Sequence, residues 1–335
     1  MAARLSRGDR VAVTFSKTGV SALLRRVGTW DGLLVLNYHR VGEPLESPLD
    51  RGLFSATEEQ LEQEMALLAA NYDVVSIDDV AAVLRRPRGR HVLVTFDDGY
   101  RDNHDAALPV LRRAGIPAAF FIATGFIDRP RLPWWDEIAY LLRNSPHADL
   151  PPGPCFSGGI ELEPDREVAI NLVLSAYKTA DGDTADELLA YVRAVTDTPP
   201  DERREDLWMT WDMVRALRDA GMTIGAHTVD HPVLGRVPEE RQRREIAGSL
   251  ERLEEELGER PRAFSYPVGM PGSYDETTKR LLREHGVEMA FEFQGGLQRP
   301  IDIDPFALRR VSVAYTMPLA RFQAMLVLPQ RFGRW

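Results

Sequence analysis

Two adjacent carboxylates, Asp97 and Asp98, stand in the run Thr95-Phe96-Asp97-Asp98-Gly99-Tyr100, directly after the apolar stretch His91-Val92-Leu93-Val94. Charged groups at the end of a buried strand are unfavourable unless something positive faces them. Strand neighbours point to opposite faces, but a turn at Gly99 lets both carboxylates swing toward one site. Metal binding by one and proton transfer by the other is one reading. An acidic turn capping a helix that begins near Asn103 is the other. A second group, His227-Thr228-Val229-Asp230-His231, follows the run Met222–Ala226. Two imidazoles four residues apart can converge on one ion. Alternatively, one bonds a loop backbone and its partner faces solvent. Taken together, two neutral imidazoles and a carboxylate leave coordination positions open for water and substrate, which is the donor set of a hydrolytic metal site. The donors suit zinc, and nickel or cobalt would fit the same set.

These residues need elements to hold them. Short apolar runs alternate with amphipathic helical patterns, which predicts an α/β architecture. The strands are expected at Leu33–Tyr38, Val74–Ile77, His91–Phe96, Ala118–Ile122, Met222–Ala226, Ala263–Tyr266, Glu288–Phe293 and Leu308–Val313. Helical patterns fall at Glu58–Ala70, Asp102–Ala114, Trp211–Ala220, Glu239–Leu257 and Asp275–His285, several ending at glycine. Eight such strands predict a distorted β/α barrel of seven or eight units, in which sites gather at the C-terminal strand ends. Both motifs follow strands. So do Tyr38-His39-Arg40 and Tyr266-Pro267-Val268-Gly269.

Residues 1–30 read as an N-terminal extension and 31–335 as the barrel, interrupted by an insertion over about 128–206. The insertion is rich in Pro, Gly and acidic residues, with one or two helices near Val168–Val195, and its modest apolar content argues against an independent domain. Long insertions after a barrel strand commonly shape a cleft. Trp134 and Trp135 open it, either as a stacking platform at the cleft rim or as core anchors. Tyr100 either lines the substrate site or forms an aromatic wall.

Composition narrows the function. At 44% hydrophobic residues over 335, the chain can bury a large core. A formal charge of −10 and pI near 5.3 argue against a nucleic-acid partner. The single cysteine, Cys155, cannot form an internal disulfide. No stretch has the roughly 18 apolar residues of a membrane span. Met1–Thr29 lacks a clean apolar core and cleavage site, so a cytoplasmic or membrane-associated location is expected. Val20–Val27 could form a short basic amphipathic helix, packed on the barrel or touching a membrane surface.

Thr95–Gly99 and His227–His231 resemble the first two motifs of the polysaccharide deacetylases (NodB-homology, carbohydrate esterase family four), a likeness that spans roughly Leu33 to Val313. The resemblance implies a TIM-like barrel and metal-dependent removal of N-acetyl groups from an amino-sugar polysaccharide or glycan. It makes Asp97 the general base, and Asp98, His227 and His231 the ligands of a divalent ion. No Leu-x-His segment follows His285; instead Asn37-Tyr38-His39-Arg40-Val41 resembles the permuted poly-N-acetylglucosamine deacetylase branch. That makes His39 the general acid for the leaving amine. The family's third motif usually carries an arginine that orients the base, then Pro and an aromatic. Here Ser265 takes the arginine's place and Val268 the aromatic's. The Val268 N–H can still help hold an oxyanion, because that role uses the main chain, and Tyr266 beside it is a further candidate for the oxyanion or substrate. Arg310 is the candidate for the orienting arginine. Two alternatives stay open: the same metal chemistry on a non-polymeric or lipid-linked sugar or another amide, and a glycan-binding module without turnover.

Overall fold

The computed structural model describes residues 30–199, 206–299 and 303–333. The proposed N-terminal extension and its Val20–Val27 helix fall almost wholly outside these residues. Eight strands form the central sheet: β1 Leu33–Tyr38, β2 Asp73–Val74, β3 His91–Phe96, β4 Ala118–Ile122, β5 Thr223–Ala226, β6 Ala263–Ser265, β7 Met289–Phe291 and β8 Val311–Ser312. All pair in parallel, in the order β7-β6-β5-β4-β3-β1-β8, with β2 added alongside the start of β3. At the far side, Phe291 bridges Leu308, and the Leu308 N–H donates to the Ala290 carbonyl. The sheet therefore curls toward its own beginning as a distorted TIM-like barrel, as expected.

Strands covered on both faces read as unbroken apolar runs rather than alternating ones. Residue parity still sorts them. Leu34, Leu36, Val92, Val94 and Phe120 pack against the helical layer, including Leu61, Met65 and Leu68 of the helix Glu58–Asn71. Leu33, Val35, Leu93, Phe121 and Phe291 form a separate cluster on the inner side. Continuing the inner parity along β1, β3 and β6 brings Asn37, Thr95, Asp97 and Ser265 into one polar layer above that cluster. The barrel's interior is thus apolar below and chemical above.

The strand and helix expectations shift by a residue or two at most ends. The larger differences are at β2, where Val75–Ile77 leaves the sheet for a turn, and in the insertion. The insertion folds as three helices, Trp134–Asn144, Arg166–Thr179 and Gly182–Val195. Its apolar residues segregate: Ile138, Leu142, Ile170, Val173, Leu188 and Val192 bury one another and extend onto Tyr100, Phe126 and Trp208. This second core joins the insertion firmly to the C-terminal end of β3.

Candidate active site

The chain turns sharply wherever a chemical group must face inward. Asp98 (φ 76°), Thr228 (φ 67°), His231 (φ 54°) and Val268 (φ 64°) all occupy the left-handed region without being glycine. Such conformations are unfavourable by about 1–3 kcal/mol each, and persist where surrounding structure imposes them. Asp98 Oδ1 lies 3.4 Å from His227 Nε2 and 3.6 Å from His231 Nε2. The three donor atoms fall within 4.8 Å of one another, and all three residues are buried. His227 is aimed by its other nitrogen, since Nδ1 donates to the Ser265 carbonyl at 2.7 Å. That leaves Nε2 as the free lone pair. His231 is aimed by packing, with its ring 4.4 Å from that of Trp135. Burial together with the neighbouring His227 pushes its pKa down to about 3, so it is a neutral imidazole with a lone pair to give. His227 is also disfavoured by burial, but Asp97 and Asp98 outweigh that and hold it above its ordinary value. Two imidazoles and a carboxylate converging in a buried site fit a divalent cation, whose charge would replace that proton.

Asp97 sits beside this cluster and is held by a different set. Arg310 Nη1 donates to its Oδ1 and Nη2 to its Oδ2, both at 2.7 Å. Ser265 Oγ donates to Oδ2 at 3.1 Å, and Asn37 Nδ2 at 3.3 Å. Burial would raise its pKa, but Arg310 and His227 overcome that and hold the carboxyl well below the usual range. The guanidinium also donates to Asn37 Oδ1 at 2.9 Å and to Ser265 Oγ at 2.7 Å. The small Ser265 side chain leaves room for the Arg310 side chain, which arrives from the start of β8. His39 Nε2 lies 4.0 Å from Asp97 Oδ2. The His39 main chain is pinned at both ends, its N–H donating to Ser55 Oγ and its carbonyl accepting from Asn103 Nδ2. Burial lowers its pKa, against the pull of Asp98 and Asp97.

A cleft of about 680 Å³ opens over these groups, lined by His39, Asp97, Asp98, His227, His231, Arg310 and Val268 among others. The Val268 N–H has no acceptor among the described residues. Three sequence expectations need correction. Tyr100 is fully buried and does not line the cleft: its hydroxyl donates to Asp136 at 2.6 Å and its ring stacks on Trp208. Trp134 and Trp135 reach the cleft only with their edges, being 8% and 3% exposed. Trp134 is stacked on Tyr177, and Trp135 donates to Tyr100 Oη at 2.7 Å. They are core anchors that support His231 rather than an open platform, because the insertion's second core covers their faces. Tyr266 contributes chain direction rather than its hydroxyl, which donates to the Phe306 carbonyl at 2.8 Å. Asn37 is the residue whose role sequence reasoning missed; its signal was a polar side chain ending the apolar run Leu33–Leu36.

A barrel whose cleft holds a converging Asp-His-His set with a clamped carboxylate beside it has the donors and the base that hydrolysis requires. Comparison with known proteins agrees. The polysaccharide deacetylase profile matches residues 85–152 and 170–290, and the chain belongs to that family. It is accordingly a hydrolase acting on carbon–nitrogen bonds other than peptide bonds. YxkH of Bacillus subtilis (strain 168) is 22% identical over 300 residues, covering 88% of this chain and 76% of YxkH. Among solved structures, the Streptococcus pyogenes deacetylase PplD superposes with a TM-score of 0.58 at 16% identity, covering 88% of this chain and 98% of PplD. IcaB from Ammonifex degensii gives 0.56 at 22% identity, covering 88% and 97%. No helix among the described residues is long and apolar enough to cross a membrane.

Proposed function

We propose that this chain removes N-acetyl groups from an amino-sugar glycan, with Asp98, His227 and His231 holding a divalent ion, zinc fitting best. The observation that carries the reading is the pairing of two differently tuned sites within one cleft: a cation-ready Asp-His-His cluster and, beside it, a carboxylate locked by Arg310. The chemistry supplied by a bound divalent ion is Lewis acidity, toward the acetyl carbonyl and toward water.

The chain's own groups do the rest. Asp97, kept ionised and oriented by Arg310, accepts the proton of the attacking water. The Val268 N–H, without an acceptor among the described residues, donates to the oxygen that becomes negative as the carbonyl carbon turns tetrahedral. His39 stands at the Asp97 side of the cleft and delivers a proton to the departing nitrogen as the C–N bond breaks. Asn37 and Ser265 hold the carboxylate and guanidinium in register. With the acid on the first strand rather than near the C-terminus, the arrangement favours the permuted poly-N-acetylglucosamine deacetylase branch.

The test is acetate release from N-acetylglucosamine oligomers, with and without added zinc, alongside Asp97→Asn. Zinc-dependent release that disappears in the variant supports the assignment. A zinc-loaded chain that releases no acetate from any N-acetylated sugar refutes it.

A further inference from the structure

Salt bridges neutralise most of the described charges, yet two cations in the cleft have none. Lys178 and Arg236 both line it, and neither side chain makes a hydrogen bond or ion pair among the described residues. The sequence has three lysines, 17, 178 and 279, and the other described one, Lys279, is paired with Asp304 and Glu276. The two cleft cations come from different elements and line the same cleft. Lys178 lies in the last turn of the insertion helix Arg166–Thr179. The next helix begins at Gly182, which packs so closely on the loop after β5 that a Cβ there would lie 3.3 Å from the Arg236 carbonyl. The Arg236 guanidinium lies over Gly272 on the facing cleft wall, 3.3 Å from where a Cβ would stand.

The carboxylates in the same cleft are already engaged. Arg310 holds Asp97, the two imidazoles face Asp98, and Asp50 accepts the Gly52 N–H at 2.8 Å, while Lys178 feels Asp50 and Asp98 across the cleft without forming an ion pair with either. On a chain of net charge −10, two cations in the cleft with no ion-pair partner among the described residues mark a place where negative charge is to arrive.

We infer that the substrate is an N-acetylated amino sugar bearing an anionic substituent of the phosphate class, which Lys178 and Arg236 receive while the acetyl group lies at Asp97. This inference rests on the deacetylase reading of the cleft. Arginine supplies a planar fork and lysine a mobile point charge, a combination suited to a tetrahedral oxyanion.

The experiment measures binding of N-acetylglucosamine 1-phosphate and of neutral N-acetylglucosamine to the metal-loaded full chain by calorimetry. It compares wild type, Lys178→Gln, Arg236→Gln and the double variant. The phosphorylated sugar is expected to bind at least about tenfold more tightly than the neutral one, a margin that shrinks as salt is raised. That margin should fall to about twofold or less in the double variant, with neutral-sugar affinity unchanged. Equal binding of the two sugars by wild type overturns the inference. So does a margin that survives in the double variant, which would place the phosphate on the metal instead. Acetate release from neutral oligomers, run in parallel, separates the two readings: release that persists without an anion preference defeats this inference alone. Vesicles carrying the same sugar on a lipid diphosphate, compared with the soluble phosphate, tell a lipid-linked source from a free one. Lys178-dependent preference for either supports the proposal.

Discussion

Arg310 and Asp97 meet through two parallel hydrogen bonds of 2.7 Å, although 213 residues separate them in sequence. Both are almost completely buried. Breaking a buried ion pair by removing one partner costs about 3–5 kcal/mol, because an uncompensated charge stays behind. The pair therefore carries structure and chemistry together.

Arg310→Lys keeps the charge and loses the fork. Its kcat for acetate release is expected to fall by about tenfold or more with KM changed little, as for an interaction that serves the transition state. Arg310→Met, which leaves Asp97 uncompensated, is expected to lower the thermal midpoint as well. A lysine variant with wild-type kcat would show that the second hydrogen bond is dispensable.

Chelation should act on stability as well as activity. A ligand that binds only the folded chain raises its unfolding free energy by mass action, about 2.7 kcal/mol at a hundred times its dissociation constant. Adding zinc to chelated protein is expected to raise the melting temperature, and the rise should vanish in His227→Ala and Asp98→Asn. Mass spectrometry of the native chain should find one divalent ion. An unchanged melting temperature, with no ion bound, would remove the metal from the scheme.

Tyr100, Trp135 and Asp136 form a buried chain of hydrogen bonds behind His231. Burial pushes the Asp136 carboxyl up to about 7, and the Tyr100 hydroxyl is its close donor. Tyr100→Phe strands both the Trp135 N–H and an Asp136 oxygen, at a cost of roughly 1–3 kcal/mol for each buried group left unpaired. Urea unfolding should show the loss, and zinc affinity should weaken because Trp135 no longer holds the His231 ring. Loss of stability with zinc affinity intact would limit this chain to a packing role.

Glu64 offers a pH test away from the cleft. Its carboxyl accepts from the Tyr38 hydroxyl at 2.9 Å, and burial pushes it up to about 8 from an ordinary 4.5. Between those values the folded chain keeps a proton that the unfolded chain has released. Stability therefore declines as pH rises from 4.5, and this loss is complete above about 8. Glu64→Gln removes the titration, so its stability relative to wild type should grow from pH 5 to about pH 8 and then level off in denaturant unfolding. A constant difference across that range would mean that Glu64 is not protonated in the fold.

The sequence by itself determined a good deal. Apolar runs of strand length, stopped by glycine and alternating with amphipathic helices, were enough for the barrel, because burial on both faces leaves little freedom in what such runs can do. Asp97-Asp98-Gly99 and His227–His231 were legible because each places its donors within a few residues, at the end of a strand. Local spacing could not say what the faces of Trp134, Trp135 and Tyr100 touch. That depends on how the insertion's apolar residues segregate into a second core, a packing outcome that no window of sequence contains. Nor could spacing decide that Ser265 leaves a space and Arg310 fills it. The β8-β1-β3 pairing carries the Arg310 guanidinium onto the Asp97 carboxylate, and only closure of the barrel at Phe291 and Leu308 brings it onto Ser265 of β6.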